Sequence, residues 1–112
     1  MLTIDKLKEF GANTEDGVGR CMGNESFYIM LVSSILNDKK LDELEQSINA
    51  DDLDKAFEAA HTLKGMLSNL SLDPITKPIN EMTELLRKRI STDYTDLLNE
   101  AKNQMEKLKS LA

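Results

Sequence analysis

Apolar side chains recur every three to four positions along most of the chain, the spacing of helices that bury one face. Ile4, Leu7 and Phe10 follow Thr3, a good N-cap, and predict a short amphipathic helix over 3–10. In 11–23, Thr14 can cap one or two turns that carry Val18, Cys21 and Met22 towards a core. Asn24 opens a stronger element. Phe27 to Val32 is an apolar run that, alone, also suits a buried strand. Ile35, Leu36, Leu41, Leu44 and Ile48 continue it at helical intervals without Gly or Pro, so one long helix to about Ala50 is predicted, with Asn37-Asp38 the place for a break.

Asp51 or Asp52 then caps a helix with the stripe Leu53, Ala56, Phe57, Ala60, Leu63, Leu67 and Leu70. Asp73 caps the next, with Pro74 at its first position and Ile75, Ile79, Met82, Leu85, Leu86 and Ile90 facing inward. Pro78 removes a backbone hydrogen bond, so regular helix is expected there from as late as Thr76. Thr92 or Asp93 opens the last helix, which buries Tyr94, Leu97, Leu98, Ala101, Met105, Leu108 and Leu111. Four substantial helices with short connections predict an all-α fold. Its form is an antiparallel up-down-up-down four-helix bundle with one or two short N-terminal helices, residues 1–112 making a single domain.

Composition narrows what such a bundle does. The net charge of −6, from 20 acids and 14 bases, argues against binding nucleic acid or an anionic membrane, which needs a basic face. Eight acids against three bases in 38–58 read as a solvated outer face. One cysteine, Cys21, cannot pair within the chain and suits a reducing compartment. No apolar run reaches the length of a membrane span and no signal-peptide core is visible, so a soluble, cytoplasmic protein is expected. With His61 the only histidine, no Cys/His zinc site can be assembled, and paired inward carboxylates for a metal- or ligand-binding bundle are missing.

His61 is nonetheless placed for chemistry. On a helical wheel it shares one strip with Lys64, Gly65 and Ser68, at i, i+3, i+4 and i+7, on the flank of the apolar stripe. A lone helical histidine is usually a solvated side chain, and a lone lysine a solvated charge. Together they offer a nucleophilic imidazole beside a cation able to steady anionic oxygens. Gly65 costs the helix about 0.8–1 kcal/mol relative to Ala. It serves either to keep the ring accessible or to admit a closely packed helix.

These residues resemble a known family. Ala60-His61-Thr62-Leu63-Lys64-Gly65, continuing through Asn69-Leu70 to Leu72, looks like the signature of histidine-containing phosphotransfer (HPt) domains. Phe27 and Leu31 early in the chain, and the Asp-rich stretch before the histidine helix, extend the likeness over essentially its full length. The resemblance implies that His61 carries a phosphoryl group between receiver-domain aspartates, that Lys64 stabilises its oxygens, and that Gly65, with Ser68, admits the partner. It implies response-regulator receiver domains and a hybrid histidine kinase as partners, no cofactor in this chain, and Mg2+ on the receiver. A monomer is expected, since the wheel shows no second apolar face.

The chain departs from the family at Ser68 and Ser71, where glycine is common, and at Thr83, where a Glu or Gln often orients the imidazole. The Thr83 hydroxyl or neighbouring Glu84 is the expected substitute. Thr62 follows the histidine where histidine-kinase dimerisation helices carry an acid, and there is no room for an ATP-binding domain, so autokinase activity is not expected. The alternative is an inactive docking module of the same shape.

Overall fold

The structure is a computed structural model and describes residues 1–112. It contains seven helices and no strand. These are α1 (Ile4–Phe10), α2 (Thr14–Arg20), α3 (Glu25–Leu36), α4 (Lys40–Asn49), α5 (Leu53–Asn69), α6 (Asp73–Arg87) and α7 (Thr95–Ser110). None is long and apolar enough to cross a membrane. The all-helical expectation holds.

Side-chain caps start several helices where the sequence places them. The Thr3 hydroxyl accepts from the Lys6 amide at 3.1 Å, the Asn24 carbonyl oxygen from Phe27 at 3.0 Å, and the Asp52 carboxylate from Lys55 at 3.1 Å. Other boundaries differ. Asn13 caps α2, its side chain accepting from the Asp16 amide at 3.2 Å, and Thr14 is the first helical residue. Leu72 precedes α6 and Asp73 lies inside it. Pro78 is buried within α6, which runs regularly from Asp73 rather than from Thr76. Tyr94, not Thr92 or Asp93, precedes α7, although the Asp93 carboxylate accepts from the Thr95 amide at 2.9 Å.

The predicted long helix over 24–50 is two helices. Its break falls at Asn37-Asp38, where the Asp38 carboxylate accepts from the Lys40 amide at 2.7 Å and starts α4 in place of a continuing ladder. Two expected core residues lie outside the core. Met22 is 96% exposed, its φ of +57° turning the chain away ahead of Asn24. Ile90 is 37% exposed because α6 ends at Arg87 and Arg89, at φ +52°, redirects the backbone.

A single cluster of 24 buried apolar side chains runs from Leu2 to Leu108, so the whole chain shares one core. Successive helices α4 to α7 pack against their neighbours, and α1 and α3 lean on α7. The N-terminal segment is tied to the turn between α5 and α6. The buried Tyr28 hydroxyl donates to the Leu70 carbonyl at 2.7 Å, the Asn13 amide donates to the Ser71 carbonyl at 3.0 Å, and the Ser71 hydroxyl donates to Asp16. Gly17 makes this approach possible: a Cβ there would overlap the Tyr28 ring and stand 3.0 Å from the Leu70 oxygen. These contacts fix the C-terminal end of α5, the helix that carries His61.

Candidate functional site

Helix α5 is anchored by its apolar stripe, with Ala56, Ala59, Ala60, Leu63 and Leu67 buried, and this sets the orientation of its opposite flank. On that flank His61 and Gly65 are exposed and Lys64 and Ser68 are half-buried. The four residues singled out by the wheel therefore share one accessible strip. Nothing lies within 4 Å of the position a Gly65 Cβ would take, so close helix packing does not explain this glycine. Next to it, Lys64 and Ser68 border a shallow polar hollow of about 370 Å³ completed by Asp73, Thr76, Lys77 and Asn80.

Lys64 projects between α5 and α6. Its side chain is 34% exposed, and its Nζ lies 3.5 Å from a carboxylate oxygen of Glu84. The other Glu84 oxygen faces Arg87 at 3.5 Å. Arg87, and then Lys64, hold the Glu84 carboxyl below its usual range. Both contacts are long and solvent-exposed, so water and salt screen them and they hold the lysine only weakly. Lys64 is thus positioned by Glu84 without being sequestered, and an arriving anion competes for it.

The expected orienting residues do not reach the imidazole. Thr83 is fully buried and its hydroxyl donates to the Ile79 carbonyl of its own helix at 2.7 Å. Glu84 is engaged with Lys64 and Arg87. No side chain or backbone group hydrogen-bonds the His61 ring. Its neighbour is Phe57, one turn earlier on α5, whose ring is stacked on it with centroids 5.6 Å apart and planes 22° apart. Arg87 and Arg89 place their guanidinium carbons 5.2 and 4.7 Å from the Phe57 centroid.

Sequence reasoning assigned Phe57 to the apolar stripe and missed it here. Its spacing of four from His61 was the available signal. The arginines gave no signal, because they arrive from the end of α6 and the loop after it. No three His, Cys, Asp or Glu side chains gather as a metal site anywhere in the chain.

The arrangement is an exposed nucleophilic ring, an adjacent cation and open space one helical turn on. It can accept an anionic electrophile presented by a second macromolecule, because no enclosed pocket surrounds the ring. Comparison with curated proteins and with solved structures returned no match. A family model, the Hpt domain, matches residues 36–111, which takes in α4 to α7 with the His61 strip and leaves most of α1 to α3 outside. That match spans well over half of the chain and includes the helix with the site just described, so the chain belongs to the Hpt domain family and has a place in two-component phosphorelay.

Proposed function

We propose that this protein is a phosphorelay intermediate in which His61 accepts a phosphoryl group from the aspartyl phosphate of one receiver domain and passes it to an aspartate of another. The observation that carries the reading is the exposed imidazole of α5 with Lys64 one turn on and nothing above Gly65. The unprotonated ring nitrogen forms the N–P bond as the P–O bond to the receiver carboxylate breaks, and that carboxylate leaves with the electron pair. The other ring nitrogen keeps its proton. Lys64 offsets charge on the phosphoryl oxygens, and the open strip over Gly65 and Ser68 lets the two aspartates approach in turn. Positioning and charge stabilisation do most of the work in such transfers.

In this reading the magnesium ion belongs to the receiver and the chain brings no cofactor of its own. Its partners are response-regulator receiver domains and a hybrid histidine kinase, it acts as a monomer in the cytoplasm, and ATP alone does not label it. The three-residue connections between α4 and α5 and between α5 and α6 support the up-down-up-down order for the helices that present the site.

Incubation with a phosphorylated receiver is expected to place an acid-labile, alkali-stable phosphate on the chain, and His61→Gln is expected to abolish it. Undiminished labelling of the variant overturns the reading. A wild-type chain that binds the receiver and takes no phosphate is instead the inactive docking module.

A further inference from the structure

We propose that Phe57 is the positioning residue for His61, holding the imidazole by stacking where no hydrogen bond does so; the proposal rests on the reading of His61 as phosphoryl acceptor. An imidazole on an exposed helix face rotates broadly about its outer side-chain torsion. Transfer requires one ring nitrogen to meet phosphorus in line, and loss of such alignment is a direct loss of rate. In this chain nothing fixes the ring by hydrogen bonding: Thr83 is turned to Ile79 and Glu84 to Lys64 and Arg87. The contact that remains is the Phe57 ring, at the separation and near-parallel tilt of an offset-stacked pair.

Phe57 is itself held from several directions. It packs, partly buried, against the core. Arg87 and Arg89 lie over its ring within cation–π range. Arg89 is fixed in turn, its Nε donating to Asp54 at 2.7 Å and an Nη donating to the carbonyls of Leu86 and Arg87 at 2.9 and 3.2 Å. The φ of +52° at Arg89 is the backbone turn that delivers this guanidinium to α5. Two helices and a loop thus converge on one aromatic ring whose contact towards the strip is the acceptor histidine. Stacking also leaves both ring nitrogens free, one to attack and one to keep its proton, which a fixed hydrogen-bond partner would not.

The test separates positioning from bulk. Phe57→Leu keeps an apolar side chain of similar size without a π-face, and Phe57→Tyr keeps the face. In the full-length chain, the His61 ring-proton NMR signals are expected to carry an aromatic ring-current shift, to lose it in Phe57→Leu and to regain it in Phe57→Tyr. In single-turnover transfer from a phosphorylated receiver, Phe57→Leu is expected to lower the saturated rate constant about threefold to tenfold. The half-saturating receiver concentration stays unchanged and Phe57→Tyr restores the rate. Arg89→Gln, a surface change, is expected to move the same NMR signals part of the way.

Wild-type transfer with Phe57→Leu at the same rate overturns the positioning role alone, as does an equal loss in Phe57→Leu and Phe57→Tyr. A wild-type chain that takes no phosphate overturns the reading of His61 as well.

Discussion

Replacing Tyr28 by Phe removes one hydroxyl from the junction between the N-terminal helices and the end of α5. The phenol is fully buried and its hydroxyl donates to the Leu70 carbonyl at 2.7 Å, so the substitution leaves a carbonyl without its partner in a site already closed by Gly17. Stranding such a group costs about 1–2 kcal/mol. For 112 residues the unfolding entropy is about 0.24 kcal/mol per degree, so Tm is expected to fall by roughly 4–8 °C at neutral pH. A second signature lies in alkali. Burial, and then the nearby Cys21, Asp73 and Asp16, push the Tyr28 pKa from 10.0 up to about 12. Above pH 10 the unfolded chain gives up this proton while the folded chain keeps it, so the contribution of Tyr28 is complete below pH 10 and is lost as pH rises towards 12. The advantage of wild type over Tyr28→Phe is therefore expected to shrink across that interval. Tyr94, whose pKa burial also raises, is common to both proteins and cancels. Thermal melts of the two chains at about pH 7, 10 and 11.5 measure the effect. A Tm within a degree of wild type, or a difference independent of pH, refutes the reasoning by showing that water already reaches the Leu70 carbonyl.

Gly65→Ala is expected to raise stability by up to about 1 kcal/mol, because the site is helical and a Cβ there meets nothing. Gly65→Gln should keep most of that gain yet slow transfer from a receiver, and unchanged kinetics would remove the access role assigned to the glycine. Ser71→Ala deletes only the hydroxyl that, ahead of Arg20, lowers the Asp16 pKa, so that carboxyl is expected to titrate nearer the ordinary carboxylate range. A lowered folded-state pKa adds stability above the ordinary carboxylate range and loses it as pH falls, so the variant should be less sensitive to acid at this junction. Carboxyl-carbon NMR reads the shift directly, and an unmoved midpoint would mean that Ser71 does not hold Asp16.

The strip of His61, Lys64, Gly65 and Ser68 was legible because it depends on the periodicity of one long helix whose buried stripe is unambiguous. The helical fold was legible for the same reason. The break at Asn37-Asp38 was only half visible, since the apolar spacing carries on across it while a single aspartate side chain redirects the backbone. The exposure of Met22 and Ile90 follows from left-handed backbone at or next to these residues, at Met22 itself and at Arg89, where neither side chain announces it. The surroundings of the imidazole were least legible. Whether Thr83 or Glu84 reaches the ring depends on which other partners compete for them, and those partners are Ile79 and Arg87 on neighbouring turns of α6 and Lys64 across on α5. Arg89 reaches Phe57 across 32 positions of sequence, and periodicity carries no information about such a contact.

The knot at the α5–α6 turn also bears on the order in which the molecule assembles. Helices α4 to α7 pack as sequence neighbours, whereas the bonds from Tyr28 to Leu70 and from Ser71 to Asp16 close loops of 42 and 55 residues. Local contacts form early and long closures late. The first three helices are therefore expected to dock late onto the packed α4 to α7 and to open first from it, so amide exchange in α1 to α3 is expected to be faster than in α5.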